Sequence, residues 1–515
     1  MTARAHPAQA PDTCCPGGDT NVKRRTFCAV GLAAVAATSI PFGRARAGSS
    51  GSDIAAKGLD GRELVLSAAD VEDLRAGLRG ELIGAGDPAY DAARRLWNPD
   101  FDLRPALIVR CVGAADVRRA VNFAAAHGLL TAVRGGGHSQ SGQSGCNGGI
   151  VVDLSPMRAV EVDPIARVAR VEGGALLGQL DREALAFGLA TPVGTAADTG
   201  VAGLTLGGGV GRIARKFGLT CDNLLGAELV TADGHWLRVN AQENPDLLWA
   251  LQGGGGNFGV VTTFVFRLHE VNPIVYGGTL RFPFADARAV LHGYADFIAA
   301  APDELYVDAV VGWPPQGKHR LTLSVCYCGP EADAERVAGP LRKLGKPFED
   351  NMGTAPYAKL QGSADLRGFT PLGVYGKGGL VFGVTPRLID TMVGFAETMP
   401  SDDGAMWLQH QGGAISRVAP KDTAYFNRGA SHNVGVFTSW KMPAGDRQRD
   451  VDWVRHAWTQ IEPQTRGQYV NLAATDDREV RVHDAYGENY PRLAALKKRY
   501  DPSNLFRLNA NVKPA

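Results

Sequence analysis

The 515-residue sequence predicts an α+β protein with a glycine-rich ligand module at the front and a sheet covered by helices behind it. Three observations carry that prediction. Glycine is the compositional outlier at 65 residues, much of it gathered in three clusters that each abut a strand-like run. Short strands and amphipathic helices fill the first half. From about residue 271 long strands (VYGGTLRFPF, RLTLSVCYC, GLVFGVT) alternate with the helices ARAVLHGYADFIAAA and ADAERVAGPLRKLG.

The remaining composition is ordinary for a globular chain, with 45% hydrophobic and 21% charged residues. A formal net charge of +1 gives no argument for a nucleic acid partner or a membrane surface. The first 47 residues read as a leader rather than fold. Lys23-Arg24-Arg25-Thr26-Phe27 precedes the apolar run CAVGLAAVAATSI, and Ala45-Arg46-Ala47 supplies a small-x-small cleavage pattern. That is the layout of a signal peptide, and the paired arginines resemble a twin-arginine signal. The expectation is export by the twin-arginine translocase, to a periplasmic or extracellular location, of a protein folded around its cofactor. The apolar run is too short for a membrane anchor. Of eight cysteines, 14, 15 and 28 fall in the leader. The odd set 111, 146, 221, 326 and 328 remains, with no CxxC pair, so neither a zinc site nor a disulfide framework is indicated.

Along the chain, LIVRCV (107–112) reads as a buried strand and AADVRRAVNFAAAHG as the helix after it. LTAVRG is a second strand, which feeds the loop RGGGHSQSGQSGCNGG at 134–149. GIVVDLS, AVEVD and RVARVEGG are further strands, and LLGQLDREALAFG is an amphipathic helix. TGVAGLTLGGGVGR at 199–212 is the second glycine cluster. LLGAELVTADGHWLRVN is a hairpin turned at Asp233-Gly234. Gly253 to Gly259 is the third cluster and precedes the strand VVTTFVFRL. Near 456 the texture shifts to a tyrosine-rich tail whose helix ends in LKKRYDPSNLF.

The first loop cannot be a dinucleotide fingerprint, because that motif must open a helix and here a strand follows. A nest of backbone N–H groups remains able to bind an anion. No G-x-x-x-x-G-K-[ST] occurs. His138 has no companion at metal spacing, and a His138–Cys146 nucleophile pair lacks an orienting group nearby. Three glycine loops within about 120 residues suit one long ligand held along its length, such as a dinucleotide.

Several long segments resemble the berberine-bridge-enzyme-like FAD-linked oxidases of the vanillyl-alcohol-oxidase superfamily. They are VRGGGHSQSG, GGIVVDLSPMRAVEVDP, VEGGALLGQLDREALAFGLATPVG, TGVAGLTLGGGVGRIARKFGLTCDNLLGAELVTADG, NPDLLWALQGGGGNFGVVT and YGENYPRLAALKKRYDPSNLFRLNANVKP. The resemblance runs from about residue 90 to the C-terminus. It implies a two-subdomain PCMH-type FAD-binding module over 90–270, a substrate domain with an antiparallel sheet over 271–455, and a C-terminal segment, 456–515, returning to the FAD side.

It also implies site residues. His138 would bond covalently to the flavin 8α-methyl. Arg134, Gly135, Gly136, Gly137, Ser139, Gln140, Ser141 and Gly142 would hold the pyrophosphate through their backbone. Thr199, Gly200, Gly203, Gly207, Gly208, Gly209 and Gly211 would pack along the cofactor, with Gly259 and Val261 near its adenosine half. Some relatives carry a second link to a cysteine in a G-x-C stretch. Here that stretch reads Gly194-Thr195-Ala196, so a single attachment is expected. Tyr469 matches the tyrosine implicated in deprotonating a substrate hydroxyl, and Asn471 would contact cofactor or substrate. Alternation would put both on one face of a strand. Arg417 stands where plant relatives carry a glutamate base, so that role is not transferred. Gln409 and Gln411 would share one strand face and contact substrate, with His410 on the other.

The resulting expectation is an oxidase that passes hydride from a hydroxyl-bearing carbon to flavin N5, with O2 as acceptor and H2O2 as product. The substrate would be a sugar, an oligosaccharide or a secondary-metabolite alcohol, with Trp313, Trp407 and Tyr425 as candidate contacts. The alternatives are an amine oxidase resembling the hydroxynicotine oxidases and a flavin-carrying drug-binding or resistance protein. The sequence gives no oligomeric state.

Overall fold

The computed structural model describes residues 52–312, 319–362, 372–400, 404–442, 447–474, 476–477 and 481–515. The leader and Trp313 lie outside the described residues.

Three sheets carry the fold. A four-stranded mixed sheet runs in the order Glu81–Gly84, Leu107–Arg110, Ile150–Asp153, Thr131–Arg134, and its last two pairings are parallel. Leu107–Arg110 and Thr131–Arg134 flank the same central strand in parallel, and the helix Ala114–Ala126 is the crossover between them. Val117, Ala120, Val121 and Ala124 recur at helical spacing and are buried against Leu107, Val109, Ile150 and Val152.

A five-stranded antiparallel sheet follows, in the order Trp236–Asn240, Leu224–Val230, Val260–Arg267, Val168–Glu172, Val160–Asp163. Its outer hairpin turns where the sequence predicts, with Gly234 at φ 76°.

The second half forms an eight-stranded antiparallel sheet. Its main path is Glu349–Asp350, Ile274–Pro283, Arg320–Tyr327, Leu305–Gly312, Ala405–His410, His432–Lys441, Leu372–Val381, and Gly353–Pro356 also pairs with Ile274–Pro283. Helices Ala287–Ala299, Pro386–Glu397 and Arg447–Ile461 cover one face. In the strand Ala405–His410, Met406 and Leu408 join that helix-covered core. Period-two alternation therefore turns Trp407 and Gln409 to the opposite face.

The structure corrects three local expectations. Tyr469 and Asn471 are not on a strand: Val470–Leu472 is a short 3-10 turn. The strand holding Gln409 ends at His410, so Gln411 leaves its register. The helix expected over ADAERVAGPLRKLG stays α-helical only over Ala334–Ala338 and tightens to a 3-10 helix at Gly339–Leu344. Pro340 accounts for this last change, since it has no N–H for the α-helical ladder.

Candidate functional site

The loop after Thr131–Arg134, the glycine turns at 194–210 and 255–261, and the tail residues Phe506 to Ala510 all face one elongated cavity of about 360 Å³. Trp407 and Gln409 reach it from the large sheet, and Tyr469 to Ala473 from the C-terminal segment.

Most expected site residues stand on this wall. They are Gly135, Gly136, Gly137, His138, Ser139, Gln140, Ser141, Thr199, Gly200, Gly203, Gly207, Gly259, Val261, Gln409, Tyr469 and Asn471. Six do not. Arg134 turns its guanidinium outward to the carbonyls of Ala93 and Arg95. Gly142 sits at φ 72° under the Phe101 ring, where an added Cβ would fall within 2.6 Å of it. Gly208, Gly209 and Gly211 serve the turn behind the wall: a Cβ on Gly211 would lie 1.6 Å from the Val193 carbonyl oxygen. Gln411 is fully buried, and its amide finds no partner among the described residues. Of the candidate aromatics, Trp407 lines the cavity, whereas Tyr425 packs behind it, edge-on to Tyr469.

Four features fit the cavity to FAD. The backbone N–H groups of Gly137 to Ser141 have no acceptor among the described residues, which is what an anion-binding nest requires. Among the described residues no Asp, Glu, Lys or Arg lines the wall, so a pyrophosphate would rest on these N–H groups and on the Ser139, Ser141 and Thr199 hydroxyls. Asn509 lines the cavity with a buried Oδ1 that lacks a donor. Gly203 and Gly256 are on the wall, yet a Cβ on Gly203 would meet nothing within 4 Å, and one on Gly256 only Asn509 Nδ2 at 4.0 Å. Neither has a positive φ. The protein's own packing does not demand glycine there; a ligand lying against the backbone does.

His138 is held from both sides. Its ring stacks on Trp97 with centroids 4.2 Å apart, and its Nε2 lies 3.4 Å from Asp198 Oδ1. The bond from His138 holds the Asp198 carboxyl below the usual carboxylate range. The Trp97 amide donates to the Gly137 carbonyl at 3.0 Å. Asn98 Nδ2 donates to the carbonyls of Gln140 and Val374, so one buried amide ties the histidine loop to the large sheet. Trp97, Asn98 and Asp198 were not picked out as site residues in the sequence. No local pattern in the sequence marks them.

Cys146 is not part of this wall. It is buried toward Leu130 and Ile150, and burial pushes its thiol up to about 12, which ends its case as a nucleophile.

At the other end Tyr469 Oη accepts hydrogen bonds from the Gly209 amide at 3.0 Å and from Asn471 Nδ2 at 2.9 Å. Burial raises this phenol to about 12, while both donors pull in the opposite direction. Gln409 Oε1 accepts from Asn433 Nδ2 at 2.7 Å, which fixes its amide.

A cleft lined by glycine backbone, with an anion nest, a sheet over it and a buried phenol on its wall, fits a flavin-dependent oxidoreductase. Comparison with known proteins agrees. Residues 105–240 match the family model of the FAD binding domain, and 468–513 match "Berberine and berberine like". (R)-6-Hydroxynicotine oxidase of Paenarthrobacter nicotinovorans is 32% identical over 466 residues, covering 85% of this chain and 97% of its own. Chitooligosaccharide oxidase of Gibberella zeae is 28% identical, covering 88% and 97%. The crystal structure of 6-hydroxy-D-nicotine oxidase from Arthrobacter nicotinovorans superposes with a TM-score of 0.78 at 30% identity, covering 85% of this chain and 98% of that one. The chain belongs to the berberine-bridge-enzyme-like family of FAD-linked oxidoreductases.

Proposed function

We propose that this enzyme is an exported oxidase that holds FAD through a single bond to His138 and oxidises a hydroxyl-bearing carbon of an uncharged substrate, with O2 as final acceptor and H2O2 as product. The wall itself carries the reading. It presents His138 at one station and the Tyr469 phenol at another, with no Asp, Glu, Lys or Arg among its described residues. It also contains no cysteine among them, and Thr195 and Ala196 occupy the place of the second anchor. The leader supports export by the twin-arginine translocase.

Bound FAD supplies the two-electron acceptor. The chain's own residues supply placement and proton handling. Trp407 offers a flat apolar surface, and Gln409 a fixed amide, to a polar neutral molecule such as a sugar or a secondary-metabolite alcohol. Tyr469 takes the proton of the substrate hydroxyl at its Oη. The Gly209 amide and the Asn471 amide are already aimed at the charge that appears there.

An amine substrate is the second reading, supported by the 32% identity to (R)-6-hydroxynicotine oxidase. A peroxide-release screen over neutral oligosaccharides, secondary-metabolite alcohols and amines separates the two. Turnover of amines alone would sink the alcohol reading, and stoichiometric binding without peroxide would favour a flavin-carrying binding protein. The anchor is tested by acid precipitation: His138→Ala is expected to lose the yellow pellet that the parent keeps.

A further inference from the structure

We propose that Asp198 is the residue that makes His138 a nucleophile, by holding the imidazole through Nε2 and stabilising the positive charge that develops on the ring when the flavin bond forms. The inference rests on the reading of His138 as the anchor and goes beyond it, naming the carboxylate partner and the ring nitrogen that bonds.

The geometry supplies the argument. Nε2 is shielded from solvent, makes no hydrogen bond of good geometry and lies 3.4 Å from Asp198 Oδ1, the nearest carboxylate. Trp97 covers the ring at a centroid distance of 4.2 Å and an interplanar angle of 25°, so the imidazole cannot turn freely to exchange its nitrogens. Nδ1 has no hydrogen-bond partner among the described residues, and His138 stands on the cavity wall. A small ring tilt that turns Nε2–H onto this carboxylate would leave the lone pair on Nδ1.

Asp198 is itself held in place. Its turn closes through the Thr199 amide on the Ala196 carbonyl at 3.2 Å. The carbonyls of Ala197 and Thr199 then accept the amides of Gly178 and Leu177, both at 2.9 Å. A carboxylate fixed on one ring nitrogen sets the tautomer and takes up the positive charge that develops on alkylation.

The step balances. A bond forms between His138 Nδ1 and the 8α-carbon. The 8α C–H proton leaves to solvent, and the Nε2 proton, paired with the Asp198 carboxylate while the ring is charged, follows it, so two protons are released in all. The two electrons left over reduce O2 to H2O2, the same oxidant the proposed oxidase reaction uses.

The test separates FAD binding from FAD capture. Parent, Asp198→Asn, Asp198→Ala and Asp198→Glu are purified from flavin-limited cells and incubated with FAD. Total FAD is read by absorbance of the native protein, and covalent FAD by flavin retained in the acid-precipitated chain. The expected result is near-parental FAD occupancy in Asp198→Asn, with covalent capture slowed about a hundredfold. Asp198→Glu restores much of the rate, and added formate accelerates Asp198→Ala. Proteolysis of the parent yields a flavopeptide joined through Nδ1. Parental capture in Asp198→Asn overturns the proposal, as does a joint, proportionate loss of binding and capture that neither glutamate nor formate rescues. Parent protein with no acid-stable flavin overturns the anchor reading itself, which is a distinct outcome.

Discussion

The amide of Gly209 donates a hydrogen bond to the phenol of Tyr469 at 3.0 Å, across 260 positions of sequence. A glycine turn expected to pack along the cofactor therefore also holds the phenol proposed as the base. Gly209 sits at φ 88°, and a Cβ there would fall within 2.1 Å of Thr220 Oγ1, so the turn that aims this N–H needs glycine.

The pH dependence of turnover follows from that contact. Tyr469 must be ionised to accept a proton, and its pKa lies near 12. Log kcat/KM is expected to rise with pH through the alkaline range toward that value. Tyr469→Phe should lower kcat about a hundredfold or more and remove the rise. Stopped-flow reduction of the bound flavin between about pH 6 and 10, on both proteins, checks the two expectations together. A flat parental profile would remove Tyr469 from the base role.

Gly203 gives a prediction of opposite signs. It is an exposed glycine inside the helix Val201–Leu206, where alanine would stabilise the FAD-free protein by about 0.5–1 kcal/mol. Its missing Cβ is directed into space that the protein leaves empty. Gly203→Ala should raise the melting temperature of FAD-free protein and lower FAD occupancy. Thermal denaturation with and without FAD measures both; unchanged occupancy would mean the cofactor does not lie on this backbone.

Much of this arrangement is legible in the sequence, for identifiable physical reasons. Glycine loops that abut strands announce close backbone approach, and 16 of the 22 expected site residues do line the cavity. What escaped notice depends on contacts distant in sequence. Asp198 meets His138 across 60 positions, and Asn98 reaches Val374 across 276. Neither separation leaves a local pattern. The strand expected at Tyr469 failed for a related reason. Its alternation was real, but the 3-10 turn at Val470–Leu472 also brings Asn471 back to the Tyr469 hydroxyl. Arg134 was expected to offer its backbone to the pyrophosphate, but it is the last residue of its strand, just short of the wall, and its side chain braces residues 93–95 from behind.

Behind Gln409, Asp308 is buried on the neighbouring strand. Its Oδ2 accepts from the Tyr306 hydroxyl at 2.7 Å and its Oδ1 from the His410 amide at 3.1 Å. Burial raises its pKa from 3.8 to about 6. A carboxyl raised in the folded state favours folding while it is protonated. That contribution is complete below about pH 4 and is lost as the pH climbs through about 6. The shift corresponds to about 3 kcal/mol. Asp308→Asn should therefore gain stability over the parent by up to that amount on going from about pH 4 to 7. Urea denaturation of both proteins at each pH supplies the difference, and a difference that does not change with pH would refute the assignment.

Arg428 and Asp222 supply the last prediction. Their side chains are 1% and 9% exposed and meet through two hydrogen bonds, at 2.7 and 2.6 Å. Arg428 also donates to the Tyr425 carbonyl at 3.1 Å, and Asp222 accepts from the Leu219 amide at 2.8 Å. The pair thus fastens the segment carrying Tyr425 to the turn beneath the Gly208–Gly209 amides. Removing one partner leaves the other charge buried and uncompensated, at a cost of about 3–5 kcal/mol. Arg428→Met alone should be strongly destabilised. Arg428→Met with Asp222→Leu should recover part of that loss, because no orphan charge remains. The double variant is expected to stay below parental activity, since the segment carrying Tyr425, whose ring packs on Tyr469, is then no longer fastened to that turn. A double-mutant cycle in denaturant, read alongside kcat, checks both parts; equal stability of the single and double variants would show that the pair is not coupled.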